Sequence, residues 1–157
     1  MIESISAITL ATHQMPRAVR FYRALGFEVL HGGEESSFTS FRAGASYLNL
    51  IAQPAERHWS WWGRVIFYVS DVDALHQRAL AAGYQPTTSP RDAEWGERFF
   101  HLDDPDGHEL RPRAVSPTLI SMRSSSNTES EKSSWSALLP TRASNPRGAL
   151  EWNSAIT

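Results

Sequence analysis

Chemistry-bearing side chains crowd the stretch His101 to Arg111, HLDDPDGHELR. It reads as two short strands folded about Asp104-Pro105-Asp106-Gly107, where proline presets φ and glycine accepts a positive one. Side chains alternate along a strand, so Glu109 and Arg111 point to one side and His101 faces them from the strand opposite. A histidine near a carboxylate can do general acid–base work, provided a substrate comes within hydrogen-bond reach. His101 and Glu109 are therefore the catalytic candidates, although a histidine satisfied within a core is the commoner case. Asp103, Asp104 and Asp106 look like paired carboxylates, but capping of the turn accounts for them. His13, His31, His58, His76 and His108 share no metal-ligand spacing and are expected at the surface. Glu34 and Glu35 read as solvated turn charge.

Aromatic residues surround this set. RHWSWWG supplies Trp59, Trp61 and Trp62, and EWGERFF supplies Trp95. These rings can stack on a ligand, cover an open edge or anchor a dimer contact.

The 157 residues are enough for one core of ordinary domain size. A net charge of −2 with no basic run excludes a phosphate-backbone footprint, and hence a nucleic-acid partner. The absence of cysteine excludes disulfides, thiol catalysis and thiolate metal sites. The N-terminal residues show no basic, apolar leader, and no window approaches the ~18 apolar residues a bilayer span needs. The expectation is a cytoplasmic protein without membrane attachment. Composition shifts near residue 115 to a Ser-rich stretch broken by three prolines. The folded unit is expected at residues 1–113, with disorder over 114–157.

The folded part contains a repeat. ITLATHQMPRAVRFYRALGF, starting at Ile8, aligns without a gap on VIFYVSDVDALHQRALAAGY, starting at Val65, 57 residues on. Each copy runs strand, polar turn, helix, glycine and aromatic. Asp71 is a good N-cap for the second helix, and His13-Gln14 a poorer one for the first. Gly26 and Gly83 suit the left-handed residue that closes a helix. Ala18, Val19, Phe21, Tyr22 and Leu25 form one apolar stripe; Val72, Leu75, Ala79, Leu80 and Ala82 form the other. Three strands are expected after each helix: residues 28–31, 37–42 and 47–51, then 85–88, 98–102 and 108–111. Pro112 is read as the stop of the last strand. The fold class is α+β: two βαβββ modules, about 5–52 and 63–111, whose mixed sheets form a cup with the helices outside.

The duplicated pattern, with RFYRALGFEV, YVSDVDALHQRALAAGY and WGERFFHLDDPDGHEL, resembles the vicinal oxygen chelate superfamily. That superfamily includes glyoxalase I, extradiol dioxygenases, fosfomycin-resistance enzymes and bleomycin-resistance proteins, and the likeness covers residues 5–111. The resemblance implies a homodimer with a small ligand in the cup. In metal-dependent members, ligands come from the first and last strand of each module, which here are Ala7, Asn49, Arg64 and Arg111. Alanine has no ligand atom and arginine is a cation without an acceptor, so this set argues against a divalent metal.

Alternation then points Thr9, Ala11, Tyr47, Ile51, Ile66, Tyr68 and Phe99 inward with those four positions, His101 and Glu109. The favoured function is a metal-free small-molecule binding protein of the bleomycin-resistance kind, without a cofactor. Its ligand would be aromatic or anionic and held by Tyr47, Asn49, Trp59, Trp61, Trp62, Arg64, Tyr68, Trp95, Phe99, His101, Glu109 and Arg111. The alternative is an enzyme of the superfamily, either a metal-dependent lyase, isomerase or dioxygenase, or a metal-free acid–base catalyst using His101.

Overall fold

The computed structural model describes residues 4–116; the Ser-rich segment expected to be disordered lies almost wholly outside them. In β1 (Ala7–Thr12), Leu10 and Thr12 are buried while Thr9 on the opposite face is exposed, so one side of the strand is committed to the core. Helix α1 (Met15–Leu25) follows. The Gln14 side chain makes no cap; instead the Thr12 Oγ1 accepts the Gln14 N–H at 3.1 Å and shapes the entry. Ala18, Val19, Phe21, Tyr22 and Leu25 are buried as a stripe, and Gly26 closes the helix at φ 100°.

Three antiparallel strands complete the first module: β2 (Glu28–His31), β3 (Phe38–Ala43) and β4 (Ser46–Ala52). The sheet order is β1-β4-β3-β2, with β4 returning parallel to β1.

The second module repeats the plan. Strand β5 (Arg64–Tyr68) leads to α2 (Val72–Ala81), and the starts of β1 and β5, like those of α1 and α2, are 57 residues apart. Asp71 caps α2 by accepting the Ala74 N–H at 2.9 Å. Val72, Leu75 and Ala79 are buried, but Leu80 and Ala82 are exposed. At about 100° per residue, Leu80 lies well round the helix from the other three, and Ala82 falls past the last turn. Strands β6 (Arg91–Asp92), β7 (Glu97–Phe99), β8 (Leu102–Asp103) and β9 (Glu109–Val115) follow, in the order β5-β9-β7-β6 with β8 on β9. The α+β class and the paired-module plan are those expected. No helix among the described residues is long and apolar enough to cross a membrane.

Three strand expectations need correction, and one residue explains two of them. The last strand does not stop at Pro112: it runs to Val115, with Pro112 buried opposite Phe67 of β5. What breaks is its antiparallel neighbour. Phe99 pairs with Arg113 and Leu102 with Leu110, so Phe100 falls opposite Pro112. Proline has no N–H to give the Phe100 carbonyl, and the expected strand 98–102 splits into β7 and β8 there. The third error is residues 85–88, which form no strand. The Thr87 N–H (2.9 Å) and the Thr88 Oγ1 (2.9 Å) instead bond the His101 carbonyl and N–H, so the segment braces His101 from outside the ladder.

The turn from Asp104 to His108 joins the modules. Asp104 is buried; its Oδ1 accepts the Asp106 and His108 N–H groups, both at 2.9 Å, and its Oδ2 accepts the Tyr22 hydroxyl at 2.8 Å. Asp106 accepts the Thr12 hydroxyl (2.6 Å) and the His13 N–H (3.1 Å), while Arg17 donates to the Pro105 carbonyl at 2.8 Å. Burial pushes the Asp104 carboxyl up against the pull of its donors, and burial beside Asp104 pushes the Tyr22 phenol well up. These aspartates do cap the turn, and they also fasten β1 and α1 to it. Replacing Asp104 by Ala strands a buried phenol and two turn N–H groups, and should cost about 3 kcal/mol in urea unfolding; Asn, which keeps an acceptor, should cost clearly less.

Candidate functional site

The face of β5 and β9 turned away from the helices carries Arg64, Glu109 and Arg111, because Val65, Leu110 and Pro112 between them are buried in the core. Arg64 pairs with Glu109 across the parallel ladder. The Glu109 Oε1 receives His101 Nδ1 at 2.6 Å and lies 3.4 Å from the Arg64 Nε, while its Oε2 accepts the Trp61 Nε1–H at 2.9 Å. Burial alone would raise the Glu109 carboxyl, but the Trp61 and His101 hydrogen bonds and the Arg64 charge outweigh it and hold the group below its usual range. An ionised carboxylate only accepts, so Nδ1 of His101 carries the proton that bonds Glu109. The His101 Nε2 makes no hydrogen bond among the described residues.

Beside this group lies a stack of cations and rings. The Arg111 guanidinium sits 4.0 Å from the Phe99 ring centroid and 5.6 Å from that of Trp95, and Arg113 lies 4.4 Å from that of Tyr68. Glu97 anchors the edge, accepting from Arg113 Nη1 at 2.7 Å and Trp95 Nε1 at 3.0 Å, with Arg111 Nη2 3.9 Å away. Nε and Nη2 of Arg111 and Nε of Arg113 are buried without a hydrogen-bond partner. The Arg111 guanidinium is held instead over the Phe99 ring, with Glu97 as its ion-pair partner.

The structure therefore brings Arg64, Trp61, Tyr68, Trp95, Phe99, His101, Glu109 and Arg111 onto one sheet. Tyr47 and Asn49 lie on the other, where Asn49 Nδ2 donates to the Thr9 Oγ1 at 3.3 Å. No hydrogen bond or ion pair among the described residues joins the two inward faces. Both stand open, with Tyr47, Ile51, Ile66, Tyr68, Trp61 and Trp95 exposed, Trp61 by 68%.

Trp59 and Trp62 lie at the seam between the modules. Trp59 stacks on His13 (4.4 Å) and His108 (5.5 Å) and donates to the Asp106 carbonyl at 3.0 Å. Trp62 donates to the His108 Nδ1 at 2.9 Å. An indole only donates, so Nδ1 must accept and Nε2–H donates to the Ala11 carbonyl at 2.8 Å. His108, expected at the surface, is in fact 3% exposed with both ring nitrogens committed. Sequence reasoning missed this seam because its partners lie more than forty residues apart; the run His108, Trp59, Trp62 gave no spacing to find them by.

At the four positions that the resemblance assigns to metal ligands, the donors do not fit a divalent cation. Ala7 has no ligand atom, Arg64 lies against Glu109, and Arg111 lies over the Phe99 ring. Asn49 is left as the one weak oxygen donor.

Because Glu109 titrates below its ordinary value, its hold on Trp61 and His101 is fully present above the unfolded-state value and is lost as pH falls through the folded one. The Trp61 indole N–H resonance should therefore shift with a midpoint below that of a glutamate peptide in the same buffer, and Glu109→Gln should abolish the transition.

Comparison with known proteins agrees with this architecture. Over 40 residues the chain is 50% identical to an uncharacterized protein of Mycobacterium bovis and to one of Mycobacterium tuberculosis. The match covers 26% of this chain and spans about a quarter of those relatives' length. Among solved structures, a glyoxalase/bleomycin resistance protein/dioxygenase from Nocardioides superposes with TM-score 0.58 at 22% identity, over 74% of this chain and 86% of that one. A family enzyme from Burkholderia phytofirmans gives 0.61 at 21%, over 70% and 97%. TioX from Micromonospora gives 0.58 at 26%, over 72% and 99%. The family model of the Glyoxalase/Bleomycin resistance protein/Dioxygenase superfamily matches residues 4–111, and the chain belongs to that superfamily.

Proposed function

We propose that the protein is a cytoplasmic, metal-free binder of a small aromatic or anionic molecule, held on the open face of β5 and β9 and covered by a second copy of the chain. The observation that carries this reading is Arg64: a guanidinium, one third exposed, occupies a position where metal-dependent relatives place a ligand, amid the exposed rings of Trp61, Tyr68 and Trp95. An apolar wall with few polar fixtures suits a small guest. Large apolar side chains exposed on adjacent strands mark an interaction surface, which supports the homodimer. Antibiotic sequestration is one role such a binder could fill.

Tryptophan fluorescence during titration with a library of aromatic acids and their neutral amides should reveal a saturable guest. Arg64→Ala should weaken acids about tenfold more than amides. Equal loss for both would reduce Arg64 to a brace for Glu109. Elemental analysis of protein purified without chelator should find metal far below one ion per chain; a stoichiometric ion would overturn the metal-free reading. Sedimentation should give a dimer, and a strict monomer would remove the second copy.

A further inference from the structure

A cavity of about 320 Å3 opens at the seam, where the corner between β1 and α1, the linker before β5 and the turn between β8 and β9 meet. It shares no residue with the face that carries Arg64. The oxygens that the turn presents to it are spent. The Asp106 carboxylate accepts the Thr12 hydroxyl at 2.6 Å and the His13 N–H at 3.1 Å. The Asp106 carbonyl accepts the Trp59 indole N–H at 3.0 Å, and the Pro105 carbonyl accepts Arg17 Nη2 at 2.8 Å. The donors facing them are not spent. Among the described residues Arg17 makes only that one bond and pairs with no carboxylate, and the His58 ring makes none. His13 uses Nδ1 alone, 3.3 Å from the Gln53 carbonyl. A carbonyl only accepts, so the proton of the neutral ring sits on Nδ1 and Nε2 keeps a lone pair. No group of His, Asp and Glu that could hold a metal ion occurs among the described residues.

We propose that this cavity binds the phosphoryl group of a small aliphatic phosphate monoester, a second site apart from the β5–β9 face. Three side chains with uncommitted nitrogens, Arg17, His13 and His58, match the three terminal oxygens of a phosphoryl group, and the guanidinium supplies the ion pair. The ester also suits His13 in either protonation state. Its second proton comes off at a pH of about 6, so near neutrality it can give that proton to the neutral Nε2 or accept from an imidazolium. A carboxylate or sulfate can only accept. The aliphatic preference comes from Trp59, whose ring is stacked on both sides, by His13 at 4.4 Å and by His108 at 5.5 Å, and so offers a guest no face. The volume leaves room beside the phosphoryl group for a short chain. A bound ester would tie the linker to the β1–α1 corner and stabilise the seam, because it binds the folded chain only.

The full chain is titrated at fixed ionic strength with glycerol phosphate, phenyl phosphate, glycerate and methyl sulfate, and the histidine ring protons are followed by NMR. His13 and His58 should shift together and saturate with glycerol phosphate while His101 stays in place. Phenyl phosphate should bind no tighter, and glycerate and methyl sulfate about tenfold more weakly. His58→Glu changes a ring without hydrogen bonds, so it should keep the melting temperature in chloride yet weaken glycerol phosphate at least about tenfold. Arg17→Gln should weaken it similarly. Phosphate salts stabilise folded proteins in general, so the thermal readout is the rise in melting temperature of the unaltered chain beyond that of His58→Glu in the same buffer. No saturable shift at His13 and His58, a shift at His101 alone, or affinity unchanged in both variants overturns the site. Glycerate binding as tightly as glycerol phosphate overturns the phosphoryl assignment, and a clear gain for phenyl phosphate overturns the aliphatic one.

Discussion

A buried carboxylate at the turn between β8 and β9 holds the two modules to one another. Asp104 is sealed at the seam, accepting two N–H groups of its own turn and the hydroxyl of Tyr22 from the other module. Burying an ionised group is tolerable only when such donors replace water. Asp106 and His108 then fasten the same turn to Thr12, His13 and Ala11 at the C-terminal end of β1. The hairpin places Asp103 opposite Glu109 and Leu102 opposite Leu110. His101 and Glu109, eight residues apart, meet only because this turn closes in this register. The site and the seam are two ends of one hairpin.

The polar groups of the β5–β9 face follow from a change of charge type. At a position that the resemblance assigns to a metal ligand, this chain carries the cationic side chain of Arg64. Arg64 keeps positive charge on that face but supplies it as N–H donors in a plane, with no vacant coordination site. Glu109 lies against Arg64, orients His101 and receives Trp61. Arg111 follows a different logic: it is spread over Phe99 and near Trp95, with two nitrogens unmet. Its cation–π contact secures the side chain against the ring.

Much of this was legible in the residues. The gapless repeat located both helices, and Asp71 did cap the second by the bond its type implies. Alternation fixed which side chains of β1, β4, β5 and β9 leave the core, because buried Leu10, Leu50, Val65 and Leu110 leave no other register. Pro112 was read for what it does to its own strand, when its effect falls on the neighbour: a missing donor opens the ladder at Phe100 while the strand itself continues. The seam was illegible for another reason. His108 looks like one more polar residue after a turn, and only tertiary placement against Trp62 and Ala11 makes it a core group. Local pattern reports which face a side chain takes; it is silent on what arrives from elsewhere in the chain.

The open faces bear on how such a site could work. Within one chain, Arg64 is one third exposed beside the less exposed Glu109, and water screens part of the attraction between them. The face of β1 and β4, with Ala7, Asn49 and the exposed Tyr47, is the other open face of the chain. That face is nearly without charge. Desolvation would strengthen the hold of Arg64 on an anion and of Glu109 on a protonated His101 together, since both gain from the same loss of water.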